Sequence, residues 1–280
     1  MLAAMDLGIV TFLTDYGIGP VRLGQAVEER GFSSLFLTEH THIPVSRRTP
    51  WPVGADPRPL PRHYWHTFDP FAALAAVAAT TERIGLGTAV ALVNQHHPIN
   101  LAKQAASVDR ISGGRFELGV GPGWNAEEMV NHGVDPARPL ARMLEHVAAI
   151  RRIWTEDEPE FHGEFVDFDP IWSWPKPVRT PPVLIAGVGP KVLDRVLSHG
   201  DGWLPLPLFT AEQLGERVAE LRGRAAEAGR AVNVTLYGGS PEALASYQDS
   251  GVDRVLFELP DHDSPEQALR ELDHLAELAL

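Results

Sequence analysis

The chain contains no cysteine and only three lysines among its 280 residues. The absence of cysteine excludes disulfides, thiolate metal sites and cysteine nucleophiles. No run of Lys and Arg supplies the basic face that a nucleic-acid binder needs, and the net charge is −13. No apolar run approaches the roughly 18 residues that span a bilayer. We therefore expect a cytoplasmic protein without nucleic-acid or membrane partners.

The length and composition allow one large hydrophobic core. Of the 280 residues, 44% are hydrophobic and an ordinary 22% are charged, so wholesale disorder is not expected. This length falls within the range of a one-domain α/β barrel. We expect a single domain over residues 1–280.

Apolar runs and amphipathic segments alternate along the chain, which predicts a parallel sheet covered by helices. The predicted strands are 8–13, 34–40, 83–93, 115–121, 182–187, 201–209, 232–238 and 253–259. The predicted helices are 20–30, 70–81, 97–111, 124–132 with 137–154, 190–199, 210–228, 241–250 and 264–279. Eight such units predict an α/β fold, a (β/α)₈ TIM barrel. A doubly wound open sheet is the alternative, and Pro205 and Pro207 weaken the sixth predicted strand.

Two insertions, after the second and fourth predicted strands, interrupt this alternation. Residues 41–68 contain six prolines and no periodicity, and long loops of this kind are usually functional lids. Residues 161–178 are rich in aromatic side chains and predict a short hairpin. Aromatic side chains in the two insertions either line a substrate lid or pack the loops onto the barrel. They are Trp51, Tyr64, Trp65, His66, Trp172 and Trp174.

Two glycine-rich stretches, LGVGPGW (118–124) and LIAGVGPKVL (184–193), follow predicted strands. The first lacks the G-x-G-x-x-G spacing of a dinucleotide fingerprint, and in the second Lys191 is not followed by the Ser or Thr of a P-loop. In a barrel both would lie where active sites form, and a phosphate often binds at a helix N-terminus there. Gly187 and Gly189 would free backbone N–H groups for it. Ordinary tight turns are the alternative.

Glu39 and His40 end the second predicted strand and place an ionisable pair at the barrel mouth. A histidine exchanges a proton near neutral pH, so His40 is a candidate acid or base. The alternative is a histidine that only hydrogen-bonds the first insertion. The pairs His40/His42 and His96/His97 lack HExxH-like spacing, so we predict no metal.

These motifs resemble the luciferase-like monooxygenase superfamily, specifically its branch of oxidoreductases that depend on coenzyme F420, a 5-deazaflavin. The most specific part of the resemblance is residues 84–128. One departure is TFLTDY (11–16), where many members place a proline after the first strand. The matching residues are SLFLTEHTHIP (34–44), the block 80–129, FHGEFVDF (161–168), PKPV (175–178) and 181–205.

The resemblance implies a (β/α)₈ barrel that binds a flavin or deazaflavin at its C-terminal mouth. It assigns His40 as the residue that contacts the ring and donates or shuttles a proton; Glu39 is the second catalytic candidate by its position in the ionisable pair with His40. It also implies a non-proline cis peptide at Ala89–Val90 that supports the ring; an ordinary strand is the alternative. The implied cofactor-binding residues are Thr88, Ala89 and Val90, then Gly121, Gly123 and Trp124 along the ring and ribityl chain, and Gly187, Gly189, Pro190 and Lys191 around the phosphate.

We therefore expect an oxidoreductase that moves a hydride between F420 and a small organic substrate, and by resemblance a homodimer. The alternative is an FMN-dependent monooxygenase that uses reduced flavin and dioxygen. A cofactor-binding protein without turnover is a third possibility. A metal or Schiff-base barrel enzyme is disfavoured because the three lysines, Lys103, Lys176 and Lys191, lie outside the predicted strands.

Overall fold

The computed structural model describes residues 5–51 and 60–279. Its strands are β1 (Asp6–Thr11), β2 (Ser34–Leu37), β3 (Gly85–Thr88), β4 (Ala91–Leu92), β5 (Phe116–Gly121), β6 (Phe161–His162), β7 (Asp167–Phe168), β8 (Val183–Ala186), β9 (Gly202–Leu204), β10 (Asn233–Gly239) and β11 (Arg254–Glu258). Its α-helices are α1 (Pro20–Glu29), α2 (Pro70–Ala78), α3 (Pro98–Ser112), α4 (Ala126–Asn131), α5 (Pro139–Thr155), α6 (Val192–His199), α7 (Ala211–Glu227), α8 (Leu244–Asp249) and α9 (Pro265–Ala279). Short 3₁₀ turns cover Arg62–Trp65, Val93–Gln95 and Pro241–Ala243.

The main sheet is a closed parallel barrel. Its strands follow the order β3-β2-β1-β11-β10-β9-β8-β5-β4, and an additional pairing of β3 with β5 closes the ring. Because β4 continues β3 after residues 89 and 90 and also pairs with β5, β3 and β4 count together as one barrel strand. The barrel therefore has eight strands. The predicted TIM barrel is confirmed, and closure excludes the open doubly wound sheet.

Local sequence signals set several helix starts. The Asp69 carboxylate accepts a hydrogen bond from the Ala72 N–H at 2.7 Å and caps α2, which begins at Pro70. Thr210 and Gln213 form a reciprocal capping box at the start of α7, with bonds of 3.2 and 3.0 Å. These caps satisfy backbone donors that the first helical turn leaves free.

The core has two layers, one on each side of the barrel wall. The larger layer lies between strands and helices, and the smaller one fills the barrel interior. At the N-terminal end, the Arg254 guanidinium donates to both Glu117 carboxylate oxygens at 2.8 and 3.1 Å. The same guanidinium lies 5.3 Å from the Phe36 ring centroid. The interior is therefore filled at that end, which leaves the C-terminal mouth for a site. Six of the interior side chains are Val10, Phe36, Ala89, Leu184, Leu204 and Leu256.

The irregular segments explain the main boundary differences. β9 ends at Leu204, so Pro205 and Pro207 lie beyond it and remove no donor from the ladder. The predicted hairpin after the fourth barrel strand is present, but β6 and β7 contribute only two residues each. Residues 52–59 of the first insertion lie outside the described residues. Of the helices in the described ranges, none is long and apolar enough to cross a membrane.

Candidate active site

His40 follows β2 and lies almost fully buried at the C-terminal mouth, with 7% of its surface exposed. Its Nδ1 lies 2.9 and 3.1 Å from the two carboxylate oxygens of Glu128. Its Nε2 lies 3.3 Å from the indole nitrogen of Trp124. The Thr67 hydroxyl donates to its backbone carbonyl at 2.9 Å, so the first insertion is fastened to this position.

These partners assign the tautomer of neutral His40. A carboxylate only accepts and an indole N–H only donates. Nδ1 therefore carries the proton and donates it to Glu128, while the lone pair of Nε2 accepts from Trp124. A carboxylate behind Nδ1 also stabilises the imidazolium that forms when Nε2 takes a second proton. The arrangement suits a base or proton shuttle that works through Nε2.

Glu128 is the main site residue that the sequence reasoning missed. It lies in the first turn of α4 with only 1% of its surface exposed. Its neighbour Glu127 instead fastens the first insertion: it accepts from the Thr49 hydroxyl at 2.6 Å and the Arg48 N–H at 3.0 Å. The hydrogen bond from the Thr49 side chain is the main cause that lowers the pKa of Glu127 to about 2. Two adjacent acids after a glycine stretch were the available signal, but sequence alone does not say which one turns inward.

Glu39 points away from its neighbour His40. One carboxylate oxygen accepts from the Leu92 N–H at 2.6 Å, and the other lies 2.7 Å from Nε2 of His96. Burial alone would lower the pKa of His96, but the hydrogen bond and charge of Glu39 raise it above its ordinary value. These contacts hold β4 and the turn after it, which suits a positioning role. A catalytic role for Glu39 stays a prediction.

The segment Thr88–Ala89–Val90 lies between β3 and β4 and contains the predicted cis peptide bond, between Ala89 and Val90. The Thr88 hydroxyl donates to the Gly119 carbonyl at 2.7 Å. A Cβ at Gly121 would lie 2.6 Å from Cγ2 of Val90, so only glycine lets β5 approach this closely. The glycines of LGVGPGW therefore make room for the segment at 88–90.

Aromatic side chains surround the exposed edge of His40. The Tyr64 ring lies 5.2 Å from the His40 ring and 6.2 Å from the Trp124 ring, centroid to centroid. The Trp51 indole donates to the Tyr64 hydroxyl at 2.8 Å. Trp124 follows Gly123, whose φ of 85° turns the chain back over the mouth. Of the other insertion aromatics, Trp65, Trp172 and Trp174 are exposed, while His66 pairs with Asp15 at 2.8 Å.

The loop Gly187–Lys191 joins β8 to α6. Gly187 has a φ of 136° and its carbonyl accepts from the Trp203 indole at 2.8 Å. The Gly189 carbonyl accepts from Arg217 at 3.3 Å. These two hydrogen bonds hold the loop in place. The backbone N–H groups of Val188 and Gly189 have no acceptor within the described residues, so they are available to a ligand.

Three cations adjoin this loop: Lys191 at the N-cap of α6, Arg195 in its first turn and Arg217. Lys191 is exposed, and Pro190 leads into it. The buried Nε atoms of Arg195 and Arg217 have no partner in the described part of the chain. Free N–H groups at a helix start, with three cationic side chains close by, fit a phosphate group.

The predicted site residues thus lie on one arc of the rim. His40 follows β2, residues 88–90 lie between β3 and β4, Trp124 follows β5, and Lys191 follows β8. The strands β2, β3, β5 and β8 are consecutive in the barrel. We call this set of four strand ends the first arc. It presents, in order, the His40 imidazole, the backbone of residues 88–90 as a candidate shelf, a glycine turn, and the Gly187–Lys191 loop as a candidate phosphate cradle, and this order fits a flat ring with a phosphorylated tail.

Comparison with known proteins assigns the family. The model of the luciferase-like monooxygenase family matches residues 20–245, and the chain belongs to that family. An uncharacterized protein of Mycobacterium tuberculosis is 40% identical over 273 residues, which is 94% of this chain and 95% of that protein. The F420-dependent hydroxymycolic acid dehydrogenase of the same organism is 26% identical over 183 residues, 64% of this chain and 46% of that protein.

Solved structures share the fold at low identity. The monooxygenase RslO1 from Streptomyces bottropensis has a TM-score of 0.79 and 22% identity, with 98% of each chain covered. An F420-dependent secondary alcohol dehydrogenase with an F420-acetone adduct has a TM-score of 0.75, 16% identity and 99% coverage of both chains. A type II Baeyer-Villiger monooxygenase of Pseudomonas putida in complex with FMN has a TM-score of 0.75 and 14% identity, over 98% of this chain and 96% of that one.

Proposed function

We propose that the protein is an oxidoreductase that transfers a hydride between coenzyme F420 and a small organic substrate at the barrel mouth. One observation carries the proposal: the buried His40–Glu128 pair lies on the same arc as the 88–90 segment and the phosphate cradle. The working unit is proposed to be a homodimer in the cytoplasm, with no nucleic-acid or membrane partner.

When bound, the deazaflavin supplies the ring carbon that gives or takes the hydride. The chain handles the accompanying proton. His40 receives or delivers it at Nε2, and Glu128 stabilises the positively charged ring through Nδ1. Trp124 holds Nε2 in place until a reacting group replaces its hydrogen bond. The tyrosine and tryptophan rings around His40 exclude water from this step.

The remaining residues of the first arc bind and orient. Thr88, Ala89 and Val90 form the shelf for the ring, and the absence of a side chain at Gly121 lets β5 pack closely against Val90. Gly123 and Trp124 border the ring and the ribityl chain. Gly187, Gly189, Pro190 and Lys191 form the phosphate cradle, and the two arginines behind them, Arg195 and Arg217, extend its positive charge.

The second candidate is an FMN-dependent monooxygenase that uses reduced flavin and dioxygen. FMN also joins a flat ring to a phosphate, so the same arc fits it. The relative whose name gives F420 dependence favours the deazaflavin. The fold shared with a monooxygenase in complex with FMN keeps the flavin as the alternative.

Titration of the purified protein with F420 and with FMN discriminates between the two. We expect F420 to bind more tightly, followed through its own fluorescence, and reduced F420 to be reoxidised anaerobically by a carbonyl acceptor. Tighter binding of FMN with dioxygen-dependent turnover would establish the alternative. Absence of binding by either cofactor would refute both.

Replacement of His40 tests the proton step. His40→Ala should lower turnover at saturating cofactor by roughly 10²- to 10⁴-fold, the usual contribution of a general acid or base. Cofactor affinity should change far less. His42→Ala is the matched control, because His42 lies on the exposed side of the same loop and bonds Thr41 and Asn131. Unchanged turnover in His40→Ala would contradict the role.

A further inference from the structure

The first insertion contains a short turn, residues 44–49, that is fixed to the start of α4. The Thr49 hydroxyl donates to the Glu127 carboxylate at 2.6 Å, and the backbone N–H of Arg48 donates to the same carboxylate at 3.0 Å. Two hydrogen bonds to one side chain of α4 therefore hold this segment, which we call the insertion turn, beside the residues that precede the helix.

Arg47, within the insertion turn, extends its guanidinium over the Trp124 indole. One guanidinium nitrogen donates to the Thr49 carbonyl two residues further on, and this bond directs the side chain. The guanidinium carbon lies 5.6 Å from the centroid of the Trp124 ring. A cation within about 6 Å of an indole face is attracted by the electron density of the ring. Arg47 therefore fastens the insertion turn to Trp124 as well as to α4.

The other contacts of the Trp124 indole are with two rings of the candidate active site. Its N–H donates to His40 Nε2 at 3.3 Å, and the planes of the two rings meet at 73°. The Tyr64 ring is nearly perpendicular to the indole, at 88° and 6.2 Å between centroids. These two rings and the Arg47 guanidinium together fix the orientation of the indole, with its N–H on the nitrogen that is proposed to handle the proton.

The hydrogen bond between Trp124 and His40 is a weak one without further support. Its length of 3.3 Å lies just beyond the usual range of about 2.7–3.2 Å for N–H donors, so a small rotation of the indole breaks it. A cation over the indole restricts that rotation. The cation also polarises the ring, which makes the N–H a stronger donor. The occupancy of His40 Nε2 therefore depends on Arg47.

We propose that Arg47 is a positioning residue that acts on His40 through Trp124, by holding the indole N–H on the imidazole nitrogen. An indole held there keeps water away from Nε2 until a reacting group takes its place. Loss of Arg47 would let the indole leave more often, so that water competes with the reacting group. This inference rests on the proposed function only in the statement that His40 Nε2 exchanges the proton.

The first test uses the intact protein without cofactor and follows indole N–H groups by NMR. The chain has seven tryptophans, and the resonance that disappears in Trp124→Phe is assigned to Trp124. In Arg47→Gln this proton should exchange with solvent at least about fivefold faster. Arg47→Lys, which keeps a cation, should restore most of the protection. Arg48→Gln is the matched control, because its side chain is 91% exposed, and it should exchange as the wild type does.

An exchange rate unchanged in Arg47→Gln would overturn the proposal. So would equal acceleration in Arg47→Gln and Arg48→Gln, because the effect would then come from loss of any positive charge on the insertion turn.

The second test is a double-mutant cycle on turnover at saturating cofactor. Arg47→Gln should lower kcat about fivefold with little change in KM. Trp124→Phe keeps a ring beneath the guanidinium but removes the N–H, so Arg47→Gln should cause no further loss in that background. Additive losses would mean that Arg47 contacts the substrate directly and would overturn the positioning role.

The two tests separate this inference from the proposed function. Failure of the exchange test in a protein that binds and turns over a cofactor would refute this inference alone. Absence of binding by both F420 and FMN would refute the proposed function, while the exchange test still decides whether Arg47 holds Trp124 on His40.

Discussion

The two arcs of the barrel mouth differ in how their polar groups are paired. On the first arc, the carboxylates of Glu128 and Glu39 each contact a histidine, His40 and His96 respectively. On the second arc, formed by the ends of β9, β10, β11 and β1, the Glu258 side chain is exposed, and no hydrogen bond or ion pair reaches it from residues 5–51 and 60–279. Paired groups keep one geometry before any ligand arrives, which suits a cofactor common to every turnover.

The largest expected effect comes from breaking the His40–Glu128 pair on the first arc. Glu128→Gln keeps the shape but removes the charge that stabilises protonated His40, and turnover should fall about 100-fold. Glu127→Gln is the control, since among the described residues the Glu127 carboxylate bonds the loop at residues 48 and 49 rather than His40. Equal losses in the two variants would mean that Glu128 acts structurally.

The next largest effect is expected from a substitution at Gly121, where β5 packs closely against Val90. Gly121→Ala places a methyl group 2.6 Å from Val90 Cγ2, so Val90 must shift. We expect the cofactor dissociation constant to rise about tenfold. Gly19→Ala is the control, because a Cβ there meets nothing within 4 Å and its φ is −70°. A dissociation constant unchanged in Gly121→Ala would remove the shelf from the cofactor site.

The phosphate cradle predicts a smaller effect. Lys191→Gln removes an exposed charge, so FMN binding should weaken roughly fivefold. Riboflavin, which has the same ring without the phosphate, should bind the variant and the wild type equally. The comparison by fluorescence quenching separates the phosphate from the ring. Equal weakening of both ligands would place Lys191 elsewhere in the site.

The Glu39–His96 pair predicts a pH dependence of stability. Because the pKa of His96 is raised in the folded state, its contribution is complete below the unfolded value near 6.5 and is lost as pH rises through the folded value. Glu39→Gln should therefore lower the melting temperature by a few degrees more at pH 6 than at pH 9. A loss that is the same at both pH values would contradict this coupling.

Sequence reasoning predicted the elements whose signals are local. Asp69 with Pro70 and Thr210 with Gln213 marked helix starts that the structure has at those positions. The eight-unit alternation predicted the barrel, and the family resemblance located the cis peptide bond. The sixth strand was predicted to run through Pro205 and Pro207 to residue 209. In the structure β9 ends at Leu204, so only the length of that strand was wrong.

Residues whose role depends on tertiary geometry were not predictable in the same way. Glu127 and Glu128 are adjacent, and only the position of α4 on the barrel decides which of them reaches His40. In the sequence, Glu39 was a catalytic candidate because it is adjacent to His40. In the structure the two neighbouring side chains point in different directions, and Glu39 contacts His96.

The most direct test of the division between the arcs is a crystal structure with bound F420. The account predicts the ring against residues 88–90, the phosphate at Gly187–Lys191, and backbone shifts on the first arc below about 1 Å, as in preorganised sites. A ring lying against Glu258 and Tyr237, or a first arc that rearranges to admit it, would contradict the account.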